Sequence, residues 1–542
     1  MDAVTTPPAP INEPNLHYAP GSPERAELAA QIDAVGSKQH TLDAYIGGEW
    51  VTGGGEEIDV VAPHDHQRVL GTLRNSTQKD AQRAIDAAAA AAPEWRALPF
   101  DERAAVLLKA ADLLAGPWRQ RLNAATVLGQ SKTAFQAEID SACELIDFWR
   151  FNVHYASRIM ADQPIANSRG VWNRSDHRPL EGFVYAITPF NFTAIAGNLP
   201  TAPALMGNTV LWKPSPTQQL AASMTMELLA EAGLPPGVIN MLPGTGVDVS
   251  EVALASPDLA GIHFTGSTPT FQKLWGQVGA NIASYRSYPR IVGETGGKDF
   301  IIAHPSADPA VLKTALIRGS FEFSGQKCSA ASRAYVARSV WDKIRDELVA
   351  DVEGLPMGDP ADFANFLGAV IDDRAFAKHR ACLERAGSTA GLEIVAGGTC
   401  DDSVGWFVRP TVVVADDPTD EMFSTEYFGP ILVVHVYEDA DFESVVRQAE
   451  SAAPYALTGA IVAQDRRAID WAAETLRFAA GNFYVNDKPT GAVVGQQPFG
   501  GGRASGTNDK AGAASNLLRW TSPRSIKETF VPPTEHRYPY MA

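Results

Sequence analysis

The sequence predicts an α/β protein with at least two domains. A chain of 542 residues is longer than one ordinary hydrophobic core accommodates. In residues 182–292, short apolar runs of strand length alternate with segments of helical spacing, and the same alternation returns in residues 299–486. This alternation is typical of parallel strands connected by crossover helices. We therefore expect two parallel sheets, one after the other along the chain.

The elements of these two units follow from apolar periodicity and from the glycines and prolines between them. In the first unit the predicted strands are 182–187, 210–212, 238–242 and 261–264, and the predicted helices are 218–232 and one from about residue 268. In the second unit the predicted strands are 300–303, 334–336, 408–414 and 431–437, and the predicted helices are 310–321 and 340–352.

The part of the chain before the first unit is predicted to hold an extended arm, two β segments and a block of helices. Residues 1–25 are rich in proline, which favours extended backbone. The predicted β segments are 43–51 and 57–62, and the predicted helices are 25–40, 79–92, 100–114, 122–130 and 134–158. We expect Pro93 to interrupt the helix before it, because proline removes a backbone hydrogen bond inside a helix.

Two further segments are predicted to be β structure outside the two units. Residues 161–177 are polar, contain Pro164 and Gly170, and alternate in a way that favours a protruding hairpin. Residues 525–531 alternate similarly and favour a strand. A hairpin with few core residues usually needs a partner to pack on, so 161–177 is either an oligomer contact or a plain surface hairpin.

Charge and cysteine usage exclude several classes of protein. The formal net charge of −18 argues against nucleic acid as the main partner, because a phosphate backbone requires clustered Lys and Arg. The four cysteines form no CxxC pair and no Cys/His ligand spacing, so we expect no metal and a reducing, cytoplasmic environment. The apolar runs are too short to cross a bilayer, and the N-terminus lacks the features of a secretory signal.

The stretch FEFSGQKCSA, residues 321–330, contains a candidate nucleophile. Cys328 follows Lys327 and precedes Ser329, and a nearby cation lowers the pKa of a thiol toward that of a reactive thiolate. A buried, inert cysteine is the alternative for this stretch taken alone. A second stretch, VGETGGK at 292–298, places Glu294 beside paired glycines, where a carboxylate can act as the general base for a water.

A strand-end lysine and several turn residues are candidate ligand contacts. The G-x-G-x-x-G dinucleotide fingerprint is absent as a good match, and Gly244 begins only a weak one. The turn 264–267 lies between an apolar strand and a helix with Pro269 near its start, and such a helix N-terminus is an anion site. Lys213 is either an exposed edge charge or a ligand contact, and Asn191 is either a helix cap or an oxyanion donor.

The glycine-rich segment 490–506, TGAVVGQQPFGGGRASG, favours a tight loop around a small anion. Glycines let such a loop turn sharply and present backbone N–H groups as donors. A linker is the alternative, although a linker does not require Val493, Val494 and Phe499.

Three motifs carry a resemblance to a known family. They are Glu-Thr-Gly-Gly-Lys-Asp-Phe at 294–300, Phe-Ser-Gly-Gln-Lys-Cys-Ser-Ala at 323–330 and Gly-Gln-Gln-Pro-Phe-Gly-Gly at 495–501. By motif order the chain resembles the aldehyde dehydrogenase superfamily from about residue 45 to about residue 526. Within that superfamily it is similar to the branch that oxidises L-glutamate γ-semialdehyde to L-glutamate in proline catabolism.

The resemblance implies the aldehyde dehydrogenase fold and a division of the chain into three parts. Residues 1–160 and 178–292 are expected to form a variant Rossmann domain that binds NAD and carries the N-terminal arm. Residues 293–490 are expected to form an α/β catalytic domain. Residues 161–177 and 515–542 are expected to form a small β oligomerisation element in a homodimer or higher homo-oligomer. A separate proline dehydrogenase is a further expected partner.

The resemblance also implies roles for individual residues. Cys328 is expected to attack the aldehyde, Asn191 to hold the oxyanion with the Cys328 N–H, and Glu294 to activate the water that hydrolyses the thioester. The residues expected to bind NAD are Thr188, Pro189, Phe190, Lys213, Ser215, Gly244, Phe264, Thr265, Gly266, Ser267, Glu294, Thr295, Glu426 and Phe428. The residues expected to bind the substrate are Phe192, Lys327, Ser329, Gly491, Ala492 and Phe499.

The chain departs from the family pattern at several positions. Thr295 stands where many relatives have leucine, which favours the proline-catabolic branch, and Ala492 stands where some members have serine. Thr245 and Pro216 occupy places where acidic residues are common, so NAD rather than NADP is implied by the branch alone.

Three other functions remain as alternatives. One is a dehydrogenase for a semialdehyde without the α-amino group, which the loop 491–495 and Ser329 argue against. Another is a thioester or ester hydrolase that uses Cys328 and Glu294 without NAD, which leaves the expected cofactor residues unexplained. The third is a non-catalytic NAD-binding or scaffold protein, which does not account for the set of Cys, Glu and Asn.

Overall fold

The computed structural model describes residues 6–541 of the protein. Residues 1–5, which begin the predicted arm, and Ala542, which ends the predicted oligomerisation element, lie outside the described residues. Two seven-stranded sheets lie at the centre of the molecule, each with helices packed on it. The predicted α/β fold with two successive parallel sheets is confirmed.

The first sheet contains the strands predicted for residues 182–292. From one edge to the other its strands are Arg290–Thr295, Leu259–Gly266, Phe183–Ile187, Thr209–Lys213, Ile239–Met241, Ala44–Ile46 and Glu49–Val51. The first five are parallel, and the last two are attached in antiparallel fashion. Alternate side chains of its strands enter two separate hydrophobic cores, so both faces of the sheet are buried. The carboxyl ends of the parallel strands meet at one edge, which is where open α/β sheets bind ligands.

The second sheet contains the strands predicted for residues 299–486. From one edge to the other its strands are Leu392–Ala396, Thr411–Ala415, Ile431–Tyr437, Ala331–Ala337, Asp299–Ala303, Thr458–Val462 and Asn482–Val485. Every neighbouring pair except the first is parallel. The single strand predicted at 408–414 is two strands, Phe407–Val408 and Thr411–Ala415, because Pro410 lacks the N–H that a continuous ladder needs.

The helices occupy the predicted places with small shifts at their ends. The α-helices are Pro23–Gly36, Gln78–Ala97, Phe100–Ala115, Arg119–Gln130, Ala134–Ala137, Leu145–Ala161, Thr193–Leu205, Gln219–Ala232, Val247–Ala255, Thr268–Ala280, Pro309–Phe321, Arg338–Glu353, Asp373–Ser388, Phe442–Ser451, Arg466–Thr475 and Ala514–Leu518. The prediction that Pro93 interrupts its helix is wrong, because the helix continues to Ala97. Both Pro93 and Ala89, whose carbonyl loses its helical donor, are exposed, so water replaces the missing hydrogen bond.

A turn of π-helix, Glu138–Glu144, lies between Ala134–Ala137 and Leu145–Ala161, where the sequence predicted one continuous helix. The carboxylates of Glu138 and Asp140 are fully buried there. π-Helical turns are rare in proteins, and those that occur are often found at functional sites.

The β structure expected outside the two units differs from the prediction. Residues 161–177 do not form a hairpin; a single strand, Val171–Pro179, pairs antiparallel with Thr521–Thr529 near the C-terminus. The segment was wrongly predicted to turn back on itself because its alternation specifies a strand but not the partner of that strand. The predicted C-terminal strand is confirmed and begins four residues earlier than 525.

The remaining regular structure is short. A three-stranded sheet contains His40–Thr41, Asp65–Arg74 and Glu57–Ala62, and two small pairs are Cys400–Asp401 with Phe407–Val408 and Tyr455–Ala456 with Gly502–Arg503. Turns of 3-10 helix are Pro216–Gln218, Glu322–Gly325, Glu421–Phe423, Asp439–Asp441 and Pro539–Met541. Within residues 6–541, no helix combines the length and the apolar character needed to cross a membrane.

The chain passes from the first sheet to the second through three residues. The strand Arg290–Thr295 ends the first sheet, and Asp299–Ala303 begins the second after Gly296, Gly297 and Lys298. Gly297 is required here by close approach, because a Cβ there would lie 2.7 Å from the Leu457 backbone nitrogen, whereas a Cβ at Gly296 would meet the end of the Glu426 side chain. The motif at 294–300 is therefore the physical link between the two sheets.

A buried ion pair supports the helical block beside the first sheet. The Lys132 ammonium lies 2.7 Å from Asp140 Oδ2, and both side chains are 1% exposed or less. Asp140 also accepts the Thr193 and Ala194 N–H groups at 2.9 Å each, which caps the helix Thr193–Leu205. One carboxylate thus neutralises a buried cation and satisfies two helix-end donors.

Replacement of Asp140 by alanine is expected to destabilise the protein strongly. The variant leaves the Lys132 charge buried without a partner, which costs about 3–5 kcal/mol, and it removes the cap of Thr193–Leu205. The midpoint of urea unfolding measures this loss. The matched control is Asp470→Ala, which breaks an exposed pair with Arg466 and is expected to cost less than about 1 kcal/mol. Equal midpoints for the two variants would contradict the account.

Candidate active site

Two cavities meet at Cys328. The sheet cavity has a volume of about 530 Å³ and lies at the carboxyl ends of the strands that finish at Ile187, Lys213 and Gly266. The loop cavity has a volume of about 440 Å³ and is enclosed by the glycine-rich loop 490–499 and the helical block. Among residues 6–541, Cys328 is the only one that lines both cavities. A group bound in either cavity therefore has access to the same sulfur atom.

The backbone before Cys328 is held in an unusual conformation. Phe323, Ser324 and Gly325 all have positive φ angles, of 52°, 53° and 66°. Such angles are costly for residues with a side chain and persist only where the surroundings impose them. The Ser324 hydroxyl donates to the Gly368 carbonyl at 2.7 Å, and Gly325 is so close to the Gly429 carbonyl that a Cβ would come within 2.3 Å of its oxygen. These contacts fix the turn that delivers Cys328 to the two cavities.

The environment keeps the resting thiol protonated. Burial raises the pKa of Cys328 well above its ordinary value, and the nearby carboxylates of Asp299 and Glu294 raise it further. The sequence predicted that Lys327 would favour the thiolate, but its ammonium lies 2.8 Å from the Glu322 carboxylate, which compensates the charge. That part of the prediction was wrong, and deprotonation of Cys328 requires a proton acceptor.

Asn191 is directed at the Cys328 turn and does not cap a helix. Its Nδ2 donates to the Gln326 carbonyl at 3.0 Å, two residues before the thiol. The helix that begins at Thr193 is capped by Asp140 instead. Asn191 is 3% exposed and lines the sheet cavity together with Cys328. An amide donor thus lies against the turn before Cys328 and lines the same cavity as that residue.

Glu294 lies close to two glycines near the end of the glycine-rich segment 490–506 and lines neither cavity. Its Oε2 accepts the Gly501 N–H at 3.1 Å, and a Cβ at Gly506 would come within 3.0 Å of the same oxygen. Burial raises the pKa of Glu294 to about 8. A carboxyl with this pKa exchanges a proton near neutral pH, which suits a general base.

Lys213 is a buried residue at the end of a central strand. It is 7% exposed, and its Nζ donates to the Gly244 carbonyl at 3.0 Å. Burial lowers the pKa of Lys213 to about 8. The alternative of an exposed edge charge is excluded by this position, and the ammonium instead faces the sheet cavity.

A helix N-terminus contributes to the same cavity. The helix Thr268–Ala280 has Ser267 as its N-cap, whose side chain accepts the Thr270 N–H at 3.4 Å. Pro269 stands in its first turn, where a missing N–H is not needed. Free N–H groups at this end are available to an anion such as a phosphate.

Glu426 and Phe428 reach the sheet cavity from the second sheet. Glu426 Oε1 accepts the Gly297 N–H at 3.0 Å, and Lys378 donates to the Glu426 carbonyl. Phe428 has a positive φ of 61°, and its ring meets that of Phe190 edge-on at 5.9 Å between centroids. The Glu426 carboxylate can accept hydrogen bonds from hydroxyl groups of a ligand, and the Phe428 and Phe190 rings form an aromatic surface. Both thus face the helix N-terminus at Thr268 across the cavity.

The predicted cofactor residues are largely brought together. Thr188, Pro189, Phe190, Lys213, Ser215, Phe264, Thr265, Gly266, Ser267, Thr295, Glu426 and Phe428 all line the sheet cavity. Gly244 and Glu294 do not line it, although Gly244 bonds Lys213. Sequence reasoning missed Arg374 and Lys378, which lie four residues apart on the helix Asp373–Ser388 and so on one face of it. The four-residue spacing of Arg374 and Lys378 in a predicted helix is the sequence pattern that could have identified these two cations.

The predicted substrate residues all line the loop cavity. They are Phe192, Lys327, Ser329, Gly491, Ala492 and Phe499. The Ser329 hydroxyl donates to Thr490 Oγ1 at 3.0 Å, and Lys488 donates to the Thr490 carbonyl at 2.8 Å, so the start of the glycine-rich loop is tied to the Cys328 turn. Positive φ angles of 100° at Gly491 and 82° at Gly495 explain why glycine occupies these positions.

The loop cavity also contains residues that sequence reasoning did not assign. They include Asn12, Glu13 and Asn15 from the N-terminal arm and Glu144 and Asp147 from the helical block. Burial raises the pKa of Glu144 to about 8 and that of Asp147 to about 6. These residues are remote from the motifs along the chain, and no local pattern signals that the arm closes over the cavity.

Comparison with known proteins agrees with this geometry. The model of the aldehyde dehydrogenase family matches residues 50–526. The chain belongs to the aldehyde dehydrogenase family. Its sequence is 48% identical over 536 residues to the mitochondrial Δ1-pyrroline-5-carboxylate dehydrogenase of Dictyostelium discoideum, covering 98% of this chain and 96% of that protein.

Comparison with solved structures shows that the similarity covers the whole fold of this chain. The Δ-pyrroline-5-carboxylate dehydrogenase of Mycobacterium tuberculosis bound with NAD has a TM-score of 0.97 and 61% identity, and the match covers all of both chains. Proline utilization A from Bdellovibrio bacteriovorus has a TM-score of 0.91 and 29% identity, and the match covers 98% of this chain and 55% of that one. The predicted aldehyde dehydrogenase fold is confirmed.

Alkylation of the resting protein is expected to depend steeply on pH. Because the pKa of Cys328 lies well above 9 without bound ligands, the thiolate fraction rises about ten-fold per pH unit through the neutral range. The rate of iodoacetamide addition at Cys328, followed by peptide mass spectrometry between pH 6.5 and 9, measures this fraction. Cys328→Ser, which lacks the thiol, is the control. A rate that levels off near pH 7 would show a thiolate at rest and contradict the account.

Proposed function

We propose that this protein oxidises L-glutamate γ-semialdehyde, the open form of Δ1-pyrroline-5-carboxylate, to L-glutamate and transfers the hydride to NAD. The observation that carries the proposal is that Cys328 lines both cavities. A covalent adduct on this residue would adjoin both the sheet cavity, which is proposed to hold the dinucleotide, and the loop cavity, which is proposed to hold the amino acid. The names of the similar proteins from Dictyostelium and Mycobacterium support the choice of substrate.

The sheet cavity offers the groups that NAD requires. The N-terminus of Thr268–Ala280 suits the pyrophosphate, Lys213 and Glu426 suit the two ribose units, and Phe428 suits the nicotinamide ring. The absence of a Cβ at Gly296 keeps the Glu426 carboxylate close to the backbone link between the sheets. NAD bound in this cavity supplies the acceptor for the hydride that leaves the substrate carbon.

The loop cavity suits a short amino acid with an aldehyde at its far end. Backbone N–H groups of Gly491 and Ala492 and the Ser329 hydroxyl are proposed to bind the α-carboxylate and α-ammonium groups, and these three residues line the cavity. The rings of Phe192 and Phe499 lie on the same cavity and suit the methylene carbons between the two ends. This division of polar and apolar contacts favours glutamate γ-semialdehyde over an aldehyde without the amino-acid end.

Covalent catalysis begins when Cys328 loses its proton to water and the thiolate attacks the aldehyde carbon. The Asn191 amide and the Cys328 N–H are proposed to hold the oxyanion that forms, which is typically worth roughly 3–4 kcal/mol of barrier per donor. For this role Asn191 exchanges the Gln326 carbonyl for its contact with the substrate oxygen. Departure of the hydride leaves a thioester on Cys328.

Glu294 is proposed to accept a proton from water in the hydrolysis step. Its raised pKa of about 8 allows it to activate the water that hydrolyses the thioester. Because Glu294 lines neither cavity while bonded to the Gly501 N–H, its side chain has to rotate away from that donor to reach the water. Hydrolysis releases L-glutamate and returns the thiol.

The same reasoning extends to the organisation of the chain. We propose that residues 1–160 and 178–292 form the NAD-binding part and 293–490 the catalytic part, and that 161–177 and 515–542 form a homodimer contact. The exposed pair Val171–Pro179 and Thr521–Thr529 supports the contact, because two strands with Trp172 at 49% exposure in one and Phe530 at 60% exposure just after the other are poorly stable without a partner surface. Free thiols suit a reducing compartment such as the cytoplasm, and a proline dehydrogenase is proposed as the source of the substrate.

The proposed function is tested by substrate choice. NADH formation by the purified protein is compared for pyrroline-5-carboxylate, succinic semialdehyde and propanal, with Cys328→Ala as the control. We expect kcat/KM for the first to exceed the others by at least about ten-fold, because only it uses the contacts for an amino-acid end. Cys328→Ala is expected to bind NAD without turnover. Substantial turnover by that variant, or equal use of propanal, would contradict the proposal.

A further inference from the structure

We propose that the N-terminal arm forms one wall of the substrate site and that Asn12 positions the glycine-rich loop 490–497. The proposal rests on the proposed function, because it takes the loop cavity as the place where the aldehyde binds. Asn12, Glu13 and Asn15 line this cavity although they lie more than 300 residues before Cys328 in the chain. Asn12 is thus a positioning residue that acts through the loop.

The arm is fixed to the helical block by buried charged groups. The Glu13 carboxylate lies 2.6 Å from Arg119 and 2.7 Å from Arg150, and it is 12% exposed. The Tyr18 hydroxyl, in a side chain 4% exposed, donates to Glu138 at 2.6 Å. Charge-assisted hydrogen bonds of this kind are the stronger ones in proteins. The arm therefore has a defined place on the body of the molecule, and residues 12–15 have a defined place at the cavity.

Asn12 joins this fixed arm to the loop. Its Nδ2 donates to Asp147 Oδ2 and to the Val494 carbonyl, both at 2.8 Å, and its Oδ1 accepts from Gln496 Nε2 at 3.0 Å. Both donors and the acceptor of the amide are in use. Only an asparagine-sized amide provides this set, because a carboxylate has no N–H to donate and would face the Asp147 carboxylate.

The loop needs such an external support. Gly491 and Gly495 begin and end the segment 491–495, whose first two residues are proposed to bind the substrate, and glycines give a loop wide conformational freedom. The contact of Asn12 with Val494 lies between them and two residues from Ala492. Loss of that contact allows the Gly491 and Ala492 donors to move relative to Cys328.

This role affects only ligands that reach the loop. The amino-acid end of glutamate γ-semialdehyde is proposed to contact Gly491 and Ala492, whereas propanal is too short to use both the thiol and the loop. NAD binds in the sheet cavity, which Asn12 does not line. A change at Asn12 is therefore expected to distinguish among these three ligands, whereas a general loss of stability does not.

The kinetic test compares Asn12→Ala with Ile11→Ala. Ile11 is the neighbouring arm residue and is 76% exposed, so its truncation leaves the loop contacts in place. Asn12→Ala is expected to raise KM for glutamate γ-semialdehyde about ten-fold with kcat within about two-fold, as the loss of a few hydrogen bonds predicts. KM for NAD and for propanal is expected to stay unchanged, and Ile11→Ala is expected to match the natural protein. Equal losses for all three ligands would overturn the positioning role.

Hydrogen–deuterium exchange tests the same role without any substrate. In Asn12→Ala the amides of peptide 490–497 are expected to exchange about ten-fold faster, whereas the strand Phe183–Ile187 keeps its protection. Unchanged exchange in 490–497 would overturn the proposal. Faster exchange in a protein that does not prefer glutamate γ-semialdehyde would support the loop role and overturn the proposed function, so the two failures are distinguishable.

Discussion

The short crossing from the first sheet to the second determines where the reacting groups lie. Only Gly296, Gly297 and Lys298 separate the strand that ends at Thr295 from the strand that begins at Asp299. Asp299–Ala303 pairs in parallel with Ala331–Ala337, which starts three residues after Cys328. The carboxyl edge of one sheet is thereby held against the amino edge of the other. Glu294, near the end of the last strand of the first sheet, and Cys328, three residues before Ala331, are brought to the same region because the strands that follow them pair in parallel.

The close approach at this crossing depends on glycine. The Glu426 carboxylate occupies the space where a side chain at Gly296 would stand, and it accepts the N–H of Gly297. Glu426, the proposed ribose contact, is thus held in place by the backbone segment that links the two sheets. A larger residue at Gly297 would meet the backbone of Ala456 and Leu457, and one at Gly296 would displace the Glu426 carboxylate.

Buried charges in the molecule fall into two groups. Lys132 with Asp140 and Arg119 with Glu138 are paired, and these pairs support the helical block and the arm. Glu294 has no ion pair within 4 Å among residues 6–541, and burial raises its pKa to about 8. A group of this second kind changes protonation state near neutral pH at modest cost, and perturbed pKa values are typical of reacting residues.

Sequence patterns were informative where function depends on local geometry. Lys213, Ser267 and Thr188 follow strands or begin helices, and their positions at the edge of a parallel sheet follow from that order alone. The compensation of Lys327 by Glu322 was also local but was overlooked, because the five-residue spacing spans a 3-10 turn of unusual backbone.

Features that depend on distant contacts were not predictable in this way. The arm residues at the loop cavity and the π-helical turn at Glu138 are decided by tertiary packing, whereas the pairing of Val171–Pro179 with the C-terminal strand was expected from the resemblance to the family. Apolar periodicity specifies which face of an element is buried, but it does not specify which remote segment covers that face.

The most direct test of the central claim is to trap the thioester on Cys328. Glu294→Gln removes the proposed base, so addition of NAD and pyrroline-5-carboxylate should release about one equivalent of NADH per site and then stop. Mass spectrometry of the peptide that contains Cys328 should then show a glutamyl adduct that requires both ligands. An adduct that forms without NAD, or continued turnover with no adduct, would contradict the conclusion that the two cavities serve one thiol.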